Sequence, residues 1–137
     1  MTMVRFSAVV LLVSLGFASL GTPAEAADLR GAWTTDASVC SKVFVKTGAR
    51  VSFAKDSELS GGGFIIDDNQ IRAPAATCRI KATKLDGEST HMIAACATDI
   101  MLSDVQLSLK SIDENKILRL FPNMPGMEIP YYRCSMQ

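Results

Sequence analysis

From Asp28 onward, apolar side chains fall mostly on every second position, and turn residues break the alternation at intervals of roughly eight to twelve residues. A period of two sends alternate side chains to opposite faces, so each segment can bury one face and wet the other only as a strand. Val105, Leu107 and Leu109 alternate with Gln106, Ser108 and Lys110, and Cys78, Ile80 and Ala82 alternate with Arg79, Lys81 and Thr83. No segment sustains a helical period beyond about two turns. The run from Ala95 to Met101 is open to a short helix or a strand. The fold expected is all-β, an eight-stranded antiparallel barrel or barrel-like sandwich. Its expected core is Trp33, Val43, Val45, Val51, Phe53, Ile65, Ile80, Val105, Leu107, Leu109, Leu118 and Leu120.

Four cysteines, Cys40, Cys78, Cys96 and Cys134, contain no Cys-x-x-Cys pair of the zinc-site kind. Two disulfides follow if the chain is exported. Asp86-Gly87 is the residue pair that a tight hairpin turn prefers. As a two-residue turn it sets Leu85 opposite Glu88 and Cys78 opposite Ala95, one place from Cys96. A three-residue turn or a bulge would close that gap, so Cys78 pairs with Cys96 and, by elimination, Cys40 with Cys134.

The start of the chain supports export. Arg5 precedes an apolar run from Phe6 to Leu20, Gly21-Thr22-Pro23 breaks it, and Ala24-Glu25-Ala26 has the small-x-small form that signal peptidase cuts. The run is shorter than the roughly 20 residues needed to span hydrocarbon. Residues 1–26 are expected to be a signal peptide, and residues 27–137 a single β-barrel domain in the periplasm, with no membrane insertion after cleavage. Cleavage takes away one charge of each sign, Arg5 and Glu25, from a chain with 14 basic and 14 acidic residues. The mature chain stays neutral, which argues against nucleic acid as a partner.

Catalytic apparatus is absent from the pattern. His91 is the only histidine, no Gly-x-Ser-x-Gly elbow or His-Glu-x-x-His helix occurs, and the cysteines are assigned to disulfides. We expect no enzyme, no metal and no cofactor.

Gly31-Ala32-Trp33 opens the first strand. A Gly-x-Trp start in a small exported β-protein resembles lipocalin-like barrels and the small periplasmic metalloprotease inhibitors. The resemblance implies that Trp33 plugs one end of the barrel, with Arg133 of the late strand packed across it.

Ser60-Gly61-Gly62-Gly63-Phe64 holds three consecutive glycines, which cost backbone entropy on ordering. Around them lie Asp56, Glu58, Asp67 and Asp68, opposed by Lys55. An acidic rim beside a small-residue loop suits a cationic partner. Ser60-Gly61 followed by an aromatic residue resembles the inhibitory loop of periplasmic inhibitors of c-type lysozyme, small disulfide-linked β-barrels that occur among exported proteins of alphaproteobacteria. Phe64 stands where those families usually carry tyrosine. The resemblance implies an inhibitor whose loop enters the active-site cleft of lysozyme or a related cationic peptidoglycan hydrolase. Two alternatives stay open: a metalloprotease inhibitor acting through its mature N-terminus, Ala27 to Arg30, and a lipocalin-like carrier of a small ligand.

Overall fold

The computed structural model describes residues 25–136, so almost all of the expected leader lies outside the described residues. In chain order the strands are β1 (Gly31–Thr34), β2 (Phe44–Thr47), β3 (Arg50–Phe53), β4 (Gly63–Ile66), β5 (Gln70–Ala73), β6 (Ala76–Asp86), β7 (Ser89–Ala97), β8 (Leu102–Asp113), β9 (Lys116–Leu120) and β10 (Glu128–Arg133). Eight of them close an antiparallel barrel in the order β1-β10-β9-β8-β7-β6-β5-β4, with β1 hydrogen-bonded to β4. β2 and β3 form a separate hairpin. The all-β barrel read from the alternation is the fold observed.

Both expected disulfides are present, Cys40–Cys134 and Cys78–Cys96. The route to the second differs from the one expected. The β6–β7 turn is Gly87-Glu88, with Asp86 opposite Ser89, one residue further along than Asp86-Gly87. Carried down the hairpin, that register would overshoot Cys96 by one. A bulge between Ile80 and Ala82 takes up the difference and sets Cys78 opposite Cys96. The run from Ala95 to Met101 is not helical: β7 continues to Ala97, and a short loop leads into β8.

Two cores share the barrel wall. Inside lie Trp33, Phe64, Ile66, Ile71, Met92, Leu107, Leu109 and Ile117. Outside β1 and β4, the side chains that alternation turns outward, Ala32 and Ile65, join Val43, Phe44 and Cys134. Cys40–Cys134 fastens this outer layer. Its helical part is a 3-10 turn (Ala37–Val39), capped by Asp36 through its carboxylate and the Ser38 N–H at 2.8 Å, running into the short helix α1 (Cys40–Val43). Val43, an expected core residue, is therefore buried from a helix.

Seven expected core positions are not fully buried. Val45 is 42% exposed, because β2 packs only one face against the barrel. Ile117 is fully buried inside, so alternation along β9 sends Leu118 and Leu120 to the outer face, where both are half-buried. Val51, Phe53, Ile80 and Val105 are half-buried as well.

Antiparallel closure sorts the connections into two ends. The β4–β5, β6–β7 and β8–β9 turns share one end with the N-terminal segment. The segment entering β4 and the β5–β6, β7–β8 and β9–β10 connections share the other.

Candidate functional site

The first end is clasped shut. Trp33 is fully buried, and its indole N–H donates to the Leu29 carbonyl at 2.9 Å. The Arg133 guanidinium lies 4.3 Å from the centroid of the Trp33 ring, within cation–π range. It also donates to the carbonyl oxygens of Glu114 at 2.6 Å, Asp28 at 2.7 Å and Arg30. One side chain thus ties the incoming N-terminal segment, the β8–β9 turn and the tryptophan together. Gly31 makes room for it: its φ is +129°, and a Cβ there would come within 2.8 Å of the Arg133 Nη1. Arg30 closes the segment from outside, pairing with Asp28 at 2.9 Å and Asp68 at 3.4 Å. The hydrogen bonds from Arg30 hold the Asp28 carboxyl down to about 2.

The second end carries the glycine-rich segment. A 3-10 turn (Ser57–Ser60) stands between left-handed residues, Asp56 at φ 57° before it and Gly61 at φ 93° after it. Ser57 is buried and anchors the turn, Leu59 at its crest is 84% exposed, and Ser60 is half-buried. Gly62 is also left-handed, and its carbonyl accepts from the Thr34 hydroxyl at 3.1 Å. Gly63 answers a different need. A Cβ there would sit 2.4 Å from the Trp33 carbonyl oxygen and 2.9 Å from the Phe44 ring, so only glycine lets β4 lie this close to β1.

The five residues expected to act as one loop are therefore divided. Ser60, Gly61 and Gly62 belong to the surface turn, while Gly63 and Phe64 belong to the wall and the core. Phe64 is 8% exposed, with its ring 4.7 Å from that of Tyr131, and is not presented to solvent. The expected acidic rim is divided too. Asp56 and Glu58 stand exposed at the loop end, whereas Asp67 and Asp68 lie in the β4–β5 turn at the clasped end. Four residues of strand, about 13 Å at a normal rise, separate the pairs. Asp67 is paired with Arg72 at 2.9 Å, and Asp68 with Arg30.

Sequence reasoning missed a second feature of the loop end. The tip of the β7–β8 hairpin exposes Ile100 by 93%, Met101 by 58% and Leu102 by 83%. The signal available was the unbroken apolar triplet itself, which neither a strand nor an amphipathic helix has reason to place in a connection.

Elsewhere the chemistry is sparse. His91 Nδ1 and Ser108 Oγ lie 2.9 Å apart across β7 and β8. Ser108 is almost wholly buried, so its hydroxyl is closed to a substrate. Among the described residues no three His, Cys, Asp or Glu side chains cluster as a metal site requires. A cavity of about 240 Å³ under the N-terminal segment is lined by inward-facing Ile66, Ile80, Thr83, Thr90 and Met92. Comparison with known proteins finds no family model, no curated protein and no solved structure that matches this chain.

Proposed function

We propose that this protein is an exported inhibitor that binds the active-site cleft of a lysozyme-type peptidoglycan hydrolase, with the Asp56–Gly62 loop as its inserting element. The observation that carries the reading is the build of that loop. Left-handed residues bracket a 3-10 turn that rests on buried Ser57 and holds exposed Leu59 at its crest. A loop already fixed in one shape loses little entropy on binding, the economy that protein inhibitors of enzymes depend on. Asp56 and Glu58 beside it favour a basic target.

The other two readings find less support. A carrier needs an empty interior, but the barrel is filled by eight buried side chains. A protease inhibitor working through Ala27 to Arg30 needs that segment free, yet Arg133 and Asp68 hold it against the barrel.

The test is cell-wall lysis by c-type lysozyme with the mature protein added. The wild type should slow lysis at micromolar concentration. Ser60→Phe should weaken inhibition by about tenfold, the equivalent of 1.4 kcal/mol, with the thermal midpoint unchanged. Lysis that proceeds unaltered in the presence of the wild type refutes the proposal.

A further inference from the structure

We infer that the β7–β8 hairpin tip is a second contact arm, which grips the same basic protein partner alongside the Asp56–Gly62 loop. The inference rests on the inhibitory reading and extends it to a surface that reading does not use.

Three consecutive large apolar side chains, Ile100, Met101 and Leu102, stand in solvent at this tip. Isolated exposed apolar residues are ordinary, but a cluster on a formed element marks a place that something covers. The tip is well formed. The Thr98 N–H donates to the Met101 carbonyl at 2.9 Å, and the Thr98 hydroxyl oxygen accepts from the Met101 N–H at 3.1 Å. Directly below, Cys78–Cys96 bolts β7 to β6. The apolar triplet is thus presented on a stiff hairpin, and burying it costs little ordering.

The topology puts this tip at the same end of the barrel as the Asp56–Gly62 loop. Leu59 and the partly exposed Met124 and Met127 of the β9–β10 connection share that end. A flat or concave partner would meet apolar side chains from three separate connections.

Charge identifies the partner. The exposed charged residues of these connections and their edges are Lys55, Asp56, Glu58, Asp99 and Glu128, one ammonium among four carboxylates. None of the four carboxylates takes part in an ion pair found among the described residues. Those pairs engage Asp28, Asp67, Asp68 and Glu88, all toward the clasped end. An anionic lipid surface would be repelled by such a rim, and a second copy of this chain would bring the same sign of charge to it. A basic protein surface is attracted and steered.

The experiment measures binding of the mature chain to c-type lysozyme, as the basic probe, by titration calorimetry and association kinetics. The variants are the pair Ile100→Ser with Leu102→Ser, and separately Asp99→Asn. The double variant should raise the dissociation constant by about tenfold or more, as loss of buried interface anchors does, while its thermal midpoint stays that of the wild type. Asp99→Asn should slow association at low salt, and the difference should shrink at high salt. If wild type and double variant bind equally, the hairpin is no contact arm and this inference fails while the inhibitory reading stands. If the wild type does not bind, both fail. If the double substitution instead abolishes co-sedimentation with phosphatidylglycerol vesicles, or abolishes concentration-dependent dimerisation, the partner assigned here is wrong.

Discussion

At the scale of single residues, the clasped end depends on the pairing of Trp33 with Arg133. The indole fills the barrel end and gives its N–H to Leu29, while the guanidinium covers it and donates to three carbonyls. Trp33→Ala should cost about 3–5 kcal/mol in denaturant unfolding, the range for large-to-alanine changes in cores. Arg133→Lys should also destabilise, because an ammonium cannot span three acceptors with the geometry of a planar fork. A stability for Arg133→Lys equal to wild type would mean that charge alone is needed there. The Gly31-x-Trp33 spacing is local and legible in the sequence, whereas Arg133, 100 residues further on, was expected only through the resemblance that this spacing carries. The role of Gly63 was not. Its need for a bare Cα comes from the Trp33 carbonyl and the Phe44 ring, two neighbours that only the closed barrel delivers. Phe64 was expected in the inhibitory loop through the resemblance of Ser60-Gly61 and the aromatic after it, yet strand pairing with Trp33 turns it inward.

At the scale of elements, the strands were the legible part, since period-two alternation is a direct record of a wall with a dry side. Register was less so. The turn at Gly87-Glu88 moves the partner of Cys78 two residues on, from Ala95 to Ala97, and the bulge between Ile80 and Ala82 takes one back, which sets Cys78 opposite Cys96. Two compensating local irregularities leave no trace in a pattern of alternation. The outer layer was hidden as well, because a 3-10 turn and the four residues of α1 are too short for a helical period to show. Its hold on the barrel through Cys40–Cys134 closes a loop across 94 residues. In the chain-entropy model a loop of that length stabilises the fold by about 4–5 kcal/mol, and the 18-residue separation of Cys78–Cys96 by about 3. Replacing both cysteines of either pair by serine should lower stability in that order, measured by urea unfolding under non-reducing conditions. Greater loss from the Cys78–Cys96 pair would show that native-state fastening of the hairpin outweighs loop length.

At the scale of the whole molecule, the barrel has two unlike ends. One is closed by the N-terminal segment and carries the ion pairs found among the described residues; the other exposes Leu59, Ile100, Met101 and Leu102 beside carboxylates that form no ion pair among those residues. Nearness in sequence obscured this division. Asp56, Glu58, Asp67 and Asp68 form a single acidic stretch along the chain, but a strand between the two pairs carries them to opposite ends. Conversely, Leu59 and Ile100 are far apart in sequence and share an end only because alternate connections of an antiparallel barrel do. If the loop end is the working face, hydrogen–deuterium exchange of the mature protein with and without c-type lysozyme should locate it directly. Slowed exchange should appear in residues 57–62 and 98–102 and leave residues 28–30 and 114–116 unchanged. Protection confined to the clasped end, or no change anywhere in the chain, would contradict the assignment.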